Sequence, residues 1–245
     1  MRNIALTIQY NGAAYHGWQR QKDVIAVQQV VEDTLGDITG AEITLYGCGR
    51  TDAGVHAIEY SCNFRTESAI PCDKLPYVLN QQLPPDISCL SACDMPQGFH
   101  ARYDARGKRY IYKILNKPMK DVFLSSQAWH YRQPLDITLM QEACAAFVGE
   151  HDFTSMCSVD STVDSKVRTI YELSVKHDGD FIVIDIHGSG FLYNMVRIIT
   201  GTLVYVGIGK LTAADIPPII NAMDRTKAGI TAPPQGLYMA KVYYE

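Results

Sequence analysis

Residues 47–57 read Gly-Cys-Gly-Arg-Thr-Asp-Ala-Gly-Val-His-Ala, and the rest of the chain is best interpreted as a scaffold for this stretch. The residues just before it, 43–46, are β-branched or aromatic, and from Ile58 to Phe64 apolar residues alternate with polar or small ones. Both flanks therefore predict strands, with a loop between them. Three glycines within eight residues let this loop bend where a Cβ would clash. The loop carries one cation, Arg50, and one carboxylate, Asp52.

Two interpretations of Asp52 follow from the residues alone. An aspartate in a glycine-rich turn commonly accepts hydrogen bonds from nearby backbone N–H groups and has a purely structural role. An aspartate held on a tight loop can also be a nucleophile or a base, kept ionised by nearby cations. The spacing of the residues leaves both interpretations open.

Length and composition describe a soluble globular protein. The 245 residues suffice for one large domain or two smaller ones, and 47 % of them are apolar and 20 % charged. No apolar run reaches the roughly 18 residues of a membrane helix. The first residues lead directly into an alternating strand pattern, so we expect no signal peptide and a cytoplasmic protein.

The seven cysteines are scattered, and most lie within apolar runs, which favours reduced thiols. Cys89 and Cys93 are four residues apart, but no second pair or nearby histidine completes a zinc site. We therefore expect no metal, and the absence of a phosphate loop or dinucleotide motif predicts no cofactor.

The hydrophobic periodicity predicts an α+β fold in two halves, 1–104 and 105–245. In the first half, strands over 3–10 and 87–92, a helix over 26–39 ending at Gly40, the two strands that flank the loop and a short helix within 72–85 give the order β-α-β-β-α-β. This order is that of the ferredoxin-like split βαβ motif.

The second half repeats this alternation. The predicted elements are a strand over 108–116, a helix from Asp136 to Gly149, strands over 170–176 and 181–187, a buried helix over 190–206, a helix opened by Pro217 and Pro218, and a strand over 237–244.

A basic and aromatic segment begins at Phe99. The net charge of −4 argues weakly against a nucleic-acid partner, but residues 99–113 contain five Lys or Arg, four aromatic residues and one aspartate. Cations for phosphates and rings for bases are typical of an RNA contact. A solvated linker that leads into a strand accounts for the same residues equally well.

Arg197 lies within the apolar stretch 190–206, where an unpaired charge is costly. We expect a carboxylate from elsewhere in the fold as its partner. The alternative is a guanidinium that reaches solvent along its apolar stem.

Residues Gly49 to Ala57 resemble, over nine consecutive positions, the active-site motif of the TruA family of tRNA pseudouridine synthases. The similarity continues at 15–21, at Phe99-His100-Ala101-Arg102, at Met195-Val196-Arg197 and at Gly236-Leu237-Tyr238. Two departures, Met156 and Ala26, involve no residue with a chemical role. The resemblance implies a pseudouridine synthase fold, in which two ferredoxin-like halves form a continuous mixed or antiparallel sheet, with helices packed on it and an RNA cleft between the halves.

The resemblance also implies roles for individual residues. Asp52 is the catalytic carboxylate, Arg197 pairs with it, and Tyr110 stacks on the uracil and accepts the C5 proton directly or through water. Arg50 occupies the space of the flipped base, and Leu237 lines the uracil pocket. The residues along the RNA backbone are Phe99, His100, Ala101, Arg102 and Tyr103.

The expected reaction is the isomerisation of uridine to pseudouridine at positions 38, 39 and 40 in the anticodon arm of tRNA, by a homodimer. One alternative is an RNA-binding module or chaperone without turnover, and another is a small-molecule enzyme, which leaves the basic segment unexplained. Replacing Asp52 by alanine separates the first two, because only an enzyme loses activity while it still binds tRNA.

Overall fold

The computed structural model describes residues 1–160 and 163–245 and has the predicted α+β composition. Ser161 and Thr162, in the predicted polar loop, lie outside the described residues. In the described chain no helix is both long and apolar enough to cross a bilayer.

The strands are β1 (Arg2–Tyr10), β2 (Tyr46–Gly47), β3 (His56–Thr66), β4 (Ile87–Met95), β5 (Gly107–Leu115), β6 (Trp129–His130), β7 (Gly149–Asp152), β8 (Val167–Asp178), β9 (Phe181–Gly188) and β10 (Leu237–Tyr243). The α-helices are α1 (Val27–Thr39), α2 (Leu75–Asn80), α3 (Ile137–Cys144), α4 (Met195–Gly207) and α5 (Ile216–Asn221). Short 3₁₀ turns connect several of them.

The chain forms two compact units. The first contains Met1–Arg106 together with Tyr238–Glu245, and the second contains Gly107–Leu237. The C-terminal strand thus contributes most of its residues to the first unit.

The first unit has the predicted element order β-α-β-β-α-β, followed at the end of the chain by β10. Its sheet has the order β4-β1-β3-β10, and all pairs are antiparallel except the parallel pair of β10 with β3. The short strand β2 pairs with β3 at Cys62 and Asn63, whereas β10 pairs with its first two residues, His56 and Ala57. The start of β3 is therefore held by β1 and β10, directly after the loop that carries Asp52.

Helix α1 confirms the predicted helix over 26–39. Val27, Val31 and Leu35 recur at helical spacing and are fully buried. The helix ends at Gly40, which has a φ of 68°, a left-handed conformation that glycine adopts at little cost.

The strand predicted over 43–46 is largely wrong, since β2 contains only Tyr46 and Gly47. The Glu32 side chain accepts a hydrogen bond from the backbone N–H of Leu45, and the Gln28 side chain donates one to the Leu45 carbonyl. Because two helix side chains satisfy this backbone, it does not need a strand partner.

The second unit has the sheet order β5-β9-β8-β7, antiparallel throughout, with β6 parallel to β5. The predicted hairpin at residues 178–179 is confirmed, and Gly179 has a φ of 59°. The sequence did not predict β7. The predicted helix begins after its Asp136 cap but ends at Cys144, and Gly149, with a φ of 110°, opens β7 instead of ending the helix.

The helix predicted over 190–206 is confirmed as buried, with 11 of the 13 residues of α4 inaccessible. It begins at Met195, five residues later than predicted. Asn194 precedes it with a φ of 60°, and this left-handed residue turns the chain into the helix.

Candidate active site

The loop that carries Asp52 is Cys48–Val55, between β2 and β3 in the first unit. Its backbone is fixed at both ends. The N–H of Cys48 donates to Ser61 on β3 at 2.9 Å, and the N–H of Val55 donates to the Asp52 carbonyl at 3.1 Å, which closes the turn. Asp52 is thus held in an anchored loop directly before β3, a strand inside the sheet of the first unit.

A second segment, residues 12–18, packs directly on the backbone of this loop. A Cβ at Gly17 would lie 2.2 Å from the Thr51 carbonyl oxygen, and one at Gly12 would lie 1.9 Å from that of Val55. Gly17 also has a φ of 81°, so an alanine there would combine a clash with backbone strain. The main chain before and after Asp52 is therefore in contact with a neighbouring main chain.

Aromatic side chains support the loop from the protein interior. Trp18 stacks on Tyr60 with ring centroids 3.9 Å apart, and Tyr10 packs against both rings. The Tyr60 hydroxyl donates to the Gly49 carbonyl at 2.5 Å, and Tyr10 shares a hydrogen bond of 2.8 Å with the Thr51 hydroxyl. Burial raises the pKa of both tyrosines well above the usual range, so both hydroxyls keep their protons at neutral pH.

Arg50 and Asp52 differ in their exposure. Arg50 is exposed, and its Nε donates to the Gln19 side chain at 3.2 Å. Asp52 is half-buried. The cation lies at the solvent side of the loop, where it can contact a large substrate, and the carboxylate lies deeper.

The segment from Phe99 to Tyr103, also in the first unit, is held by a buried pair of asparagines. Asn3 donates to the carbonyls of Pro96 and Phe99, both at 2.9 Å, and the Asn63 side chain accepts from the N–H of Ala101 at 2.8 Å. Asn63 also donates to the Asn3 side chain at 2.9 Å, so both amides are satisfied. Arg102 and Tyr103 are exposed above this anchored backbone, whereas Ala101 is buried.

Tyr110 lies on β5 in the second unit. It is 8 % exposed and on the same face of the strand as Tyr112, and the Phe191 ring contacts it edge-on at 5.2 Å. A tyrosine in this position presents a fixed ring rather than a mobile one.

Arg197 lies in the first turn of α4, and its guanidinium is held by two neighbours. Its Nε donates to the Ala232 carbonyl at 2.7 Å, and one terminal nitrogen donates to the Asn194 side chain at 2.6 Å. The side chain is half-buried. These two bonds fix the plane of the guanidinium fork.

The segment 229–236, which supports Arg197 through the Ala232 carbonyl, also contacts Tyr112. The Tyr112 hydroxyl donates to the Pro233 carbonyl at 2.6 Å, and a Cβ at Gly236 would lie 2.6 Å from the Tyr112 ring. Leu237 follows this segment and is buried. Tyr112 and Arg197 thus hold neighbouring carbonyls of one segment in the second unit.

Of the residues expected at the site, the first unit contains Asp52, Arg50, Phe99, His100, Ala101, Arg102 and Tyr103, and the second unit contains Tyr110, Arg197 and Leu237. Sequence reasoning missed their supports: Gly12, Gly17, Asn3, Asn63 and Asn194. The one signal for the first two was the glycine spacing after β1, and a lone asparagine in a strand gave none. Within the described ranges, no group of three or more His, Cys, Asp or Glu side chains could hold a metal ion.

Comparison with known proteins places this architecture in a family. The family model for tRNA pseudouridine synthases matches residues 6–104 and 143–245. The tRNA pseudouridine synthases A of Thermoanaerobacter sp. (strain X514) and Caldicellulosiruptor bescii are 47 % and 48 % identical to this chain over 244 residues, and each alignment covers 100 % of both chains. The corresponding protein of Clostridium acetobutylicum is 46 % identical over the same length.

A solved Cbf5-Nop10-Gar1 complex matches 96 % of this chain and 57 % of its own chain, with 11 % identity and a TM-score of 0.34, which is too low to carry an argument about the fold. The family model and the full-length relatives are decisive by themselves. This chain belongs to the TruA family of tRNA pseudouridine synthases.

Proposed function

We propose that this protein converts the uridines at positions 38, 39 and 40 in the anticodon arm of tRNA to pseudouridine, with Asp52 as the catalytic carboxylate. Its class, a tRNA pseudouridine synthase and hence an isomerase, follows from the family. The observation that carries the assignment to Asp52 is the loop itself. Its Gly49–Ala57 sequence has the family motif, and its backbone is immobilised on both sides of a half-buried carboxylate.

The reaction breaks the bond between N1 of uracil and C1′ of the ribose and forms a bond between C5 and C1′. The C5 proton leaves, and N1 gains a proton, so product and substrate have the same composition. Such a reaction needs a carboxylate, a pocket that retains the detached uracil and an acceptor for the C5 proton. Asp52 can attack C1′, attack C6 of the base or take a proton from the sugar, and the proposal holds for all three.

Three further residues complete the proposed chemistry. Arg197 pairs with Asp52 and keeps it ionised, because a guanidinium that is already oriented by Asn194 and Ala232 loses little freedom in a bidentate pair. Tyr110 stacks on the uracil and accepts the C5 proton directly or through water. Leu237 lines the uracil pocket.

The target base must leave its stack, at a cost of a few kcal/mol. Arg50 fills the vacated space, which suits an exposed cation on the same loop as Asp52. Residues 99–103 follow the RNA backbone. The ferredoxin-like character of the halves, their continuous sheet with an RNA cleft, the homodimer and the cytoplasmic location belong to the same proposal.

Pseudouridine mapping in tRNA from cells with and without this protein tests the proposal. We expect positions 38–40 to lose their pseudouridines in cells without the protein and to regain them with the wild-type gene but not with Asp52→Ala. Unchanged pseudouridines at these positions would contradict the substrate assignment.

A further inference from the structure

Three rings form a surface on the first unit, and two of them, His100 and Tyr103, belong to the segment 99–103 that is expected to follow the RNA backbone. The ring of Tyr46, from β2, lies 5.2 Å from that of His100, which in turn lies 4.3 Å from that of Tyr103. Tyr46 is 42 % exposed and Tyr103 is 74 % exposed. The family resemblance assigns no role to Tyr46.

This surface is pre-organised. The imidazole Nδ1 of His100 accepts from the N–H of Arg102 at 3.1 Å, and the N–H of His100 donates to the Asp104 carboxylate at 2.8 Å. Beneath them, Asn63 holds the N–H of Ala101, and Asn63 itself lies opposite Tyr46 in the pairing of β2 with β3. The rings therefore start from fixed backbone positions, which lowers the entropy lost on binding a ligand.

The charges around the rings suit a nucleic acid. The Arg102 guanidinium carbon lies 5.7 Å from the centroid of the Tyr103 ring, a cation over an aromatic face. The carboxylate next to the rings, Asp104, accepts a hydrogen bond from the backbone N–H of His100 within the same turn. An exposed tyrosine pair with an adjacent arginine is the combination that binds unpaired bases and their phosphates.

We propose that Tyr46, His100 and Tyr103 form a stacking surface for unpaired nucleobases of the RNA substrate, with Arg102 as a phosphate contact. The inference rests on the proposed function for its ligand, but it adds a residue, Tyr46, and a mode of binding. The rings bind bases of any sequence, because every base offers a π face.

The test is equilibrium binding of unmodified tRNA to the full-length protein, for wild type, Tyr46→Ala, Tyr103→Ala and Tyr46→Phe. Tyr77→Ala is the matched control, since Tyr77 is 72 % exposed on the same unit but lies outside the ring cluster. Each of the first two alanine variants should bind tRNA about five- to 150-fold more weakly, as expected for the loss of one stacked base. Tyr46→Phe, which keeps the ring, should recover most of the affinity lost in Tyr46→Ala.

The salt dependence separates stacking from charge. The slope of log affinity against log salt concentration should be the same for Tyr46→Ala as for wild type, because no phosphate contact is lost. Wild-type affinity in both Tyr46→Ala and Tyr103→Ala, or an equal loss in Tyr77→Ala, would overturn the stacking surface. Failure of the proposed function would look different, since the wild-type protein would then leave uridines 38–40 unmodified.

Discussion

At the scale of single residues, the neighbours of Arg197 in the second unit fix the orientation of its guanidinium. Two hydrogen bonds, to Asn194 and to the Ala232 carbonyl, orient the guanidinium before any carboxylate is considered. Lysine would keep the charge but would lose the planar fork and the geometry that goes with it. The proposed pair with Asp52 therefore requires a guanidinium in this orientation, and a positive charge alone is not sufficient.

Arg197→Lys should lower kcat/KM for pseudouridine formation by about ten- to 150-fold, the equivalent of one charge-assisted hydrogen bond. The measurement is steady-state pseudouridine formation on unmodified tRNA. Arg225→Lys is the control, because Arg225 holds Gly229 and Thr231 of the same segment through its guanidinium. Equal losses of activity in the two variants would mean that Arg197 only supports the segment.

At this scale the sequence supplied candidates for the chemistry but not the residues that support them. Asp52, Arg197 and Tyr110 came from the family resemblance, and their roles remain predictions. Asn63 could not be recognised, because its importance depends on a contact with Ala101, which is 38 positions away. The glycine spacing after β1 marks Gly17 but does not reveal its contact with Thr51, which is 34 positions away. No local pattern records such a contact.

At the scale of elements, hydrophobic periodicity predicted the secondary structure correctly where side-chain packing alone determines it. Helix α1 and the hairpin of β8 and β9 were predicted because one buried face or one turn sequence specifies each of them. The prediction of a strand at 43–46 was largely wrong because the side chains of Gln28 and Glu32 form the hydrogen bonds of the Leu45 backbone. The strand β7 was missed because its four residues, Gly-Glu-His-Asp, carry no apolar alternation.

Asn63→Ala should destabilise the fold and weaken tRNA binding together. It leaves the N–H of Ala101 and the side-chain oxygen of Asn3 without their Asn63 partner, at about 1–3 kcal/mol for each buried group left unsatisfied. Urea unfolding and tRNA binding measure the two effects. Asn80→Ala removes two hydrogen bonds to Cys89 in the same unit and should cost stability with tRNA affinity retained.

One result would contradict the prediction for Asn63→Ala. If Asn63→Ala binds tRNA as tightly as Asn80→Ala does, then the backbone of residues 99–101 does not position an RNA contact.

Gly201→Ala should disturb helix α4 where it meets the segment that supports Arg197. A Cβ at Gly201 would lie 1.8 Å from the Ile230 carbonyl oxygen, so the backbone must shift, at a cost of about 1–3 kcal/mol in the free energy of unfolding. Thermal unfolding measures the cost. Gly36→Ala in α1 is the control, because its Cβ would come no closer than 3.4 Å to the Ala41 carbonyl oxygen. A Tm for Gly201→Ala equal to that of the control would contradict the tight packing at this site.

At the scale of the whole molecule, the net charge of −4 has to be reconciled with a polyanionic substrate. Binding of phosphates depends on local charge, and the exposed cations Arg50 and Arg102 lie on the loop of Asp52 and on the anchored segment 99–103. The net charge of the chain therefore does not argue against RNA binding at these local cations.

Arg102→Gln should weaken tRNA binding and reduce the slope of log affinity against log salt concentration by about 1. Binding titrations at several salt concentrations measure the slope. Lys74→Gln removes an exposed cation on the same unit that is adjacent to Asp73, and its slope should equal that of wild type. A slope unchanged by Arg102→Gln would remove Arg102 from the phosphate contacts.

The most direct test of the account compares Asp52→Asn with wild type in pseudouridine formation on unmodified tRNA, with tRNA binding measured in parallel. Asp23→Asn is the matched control, because Asp23 is exposed and has a φ of 65°, which asparagine tolerates. If Asp52 is the catalytic carboxylate, Asp52→Asn should bind tRNA but form no detectable pseudouridine, whereas Asp23→Asn should retain wild-type activity. Pseudouridine formation by Asp52→Asn at the wild-type rate would contradict this role of Asp52.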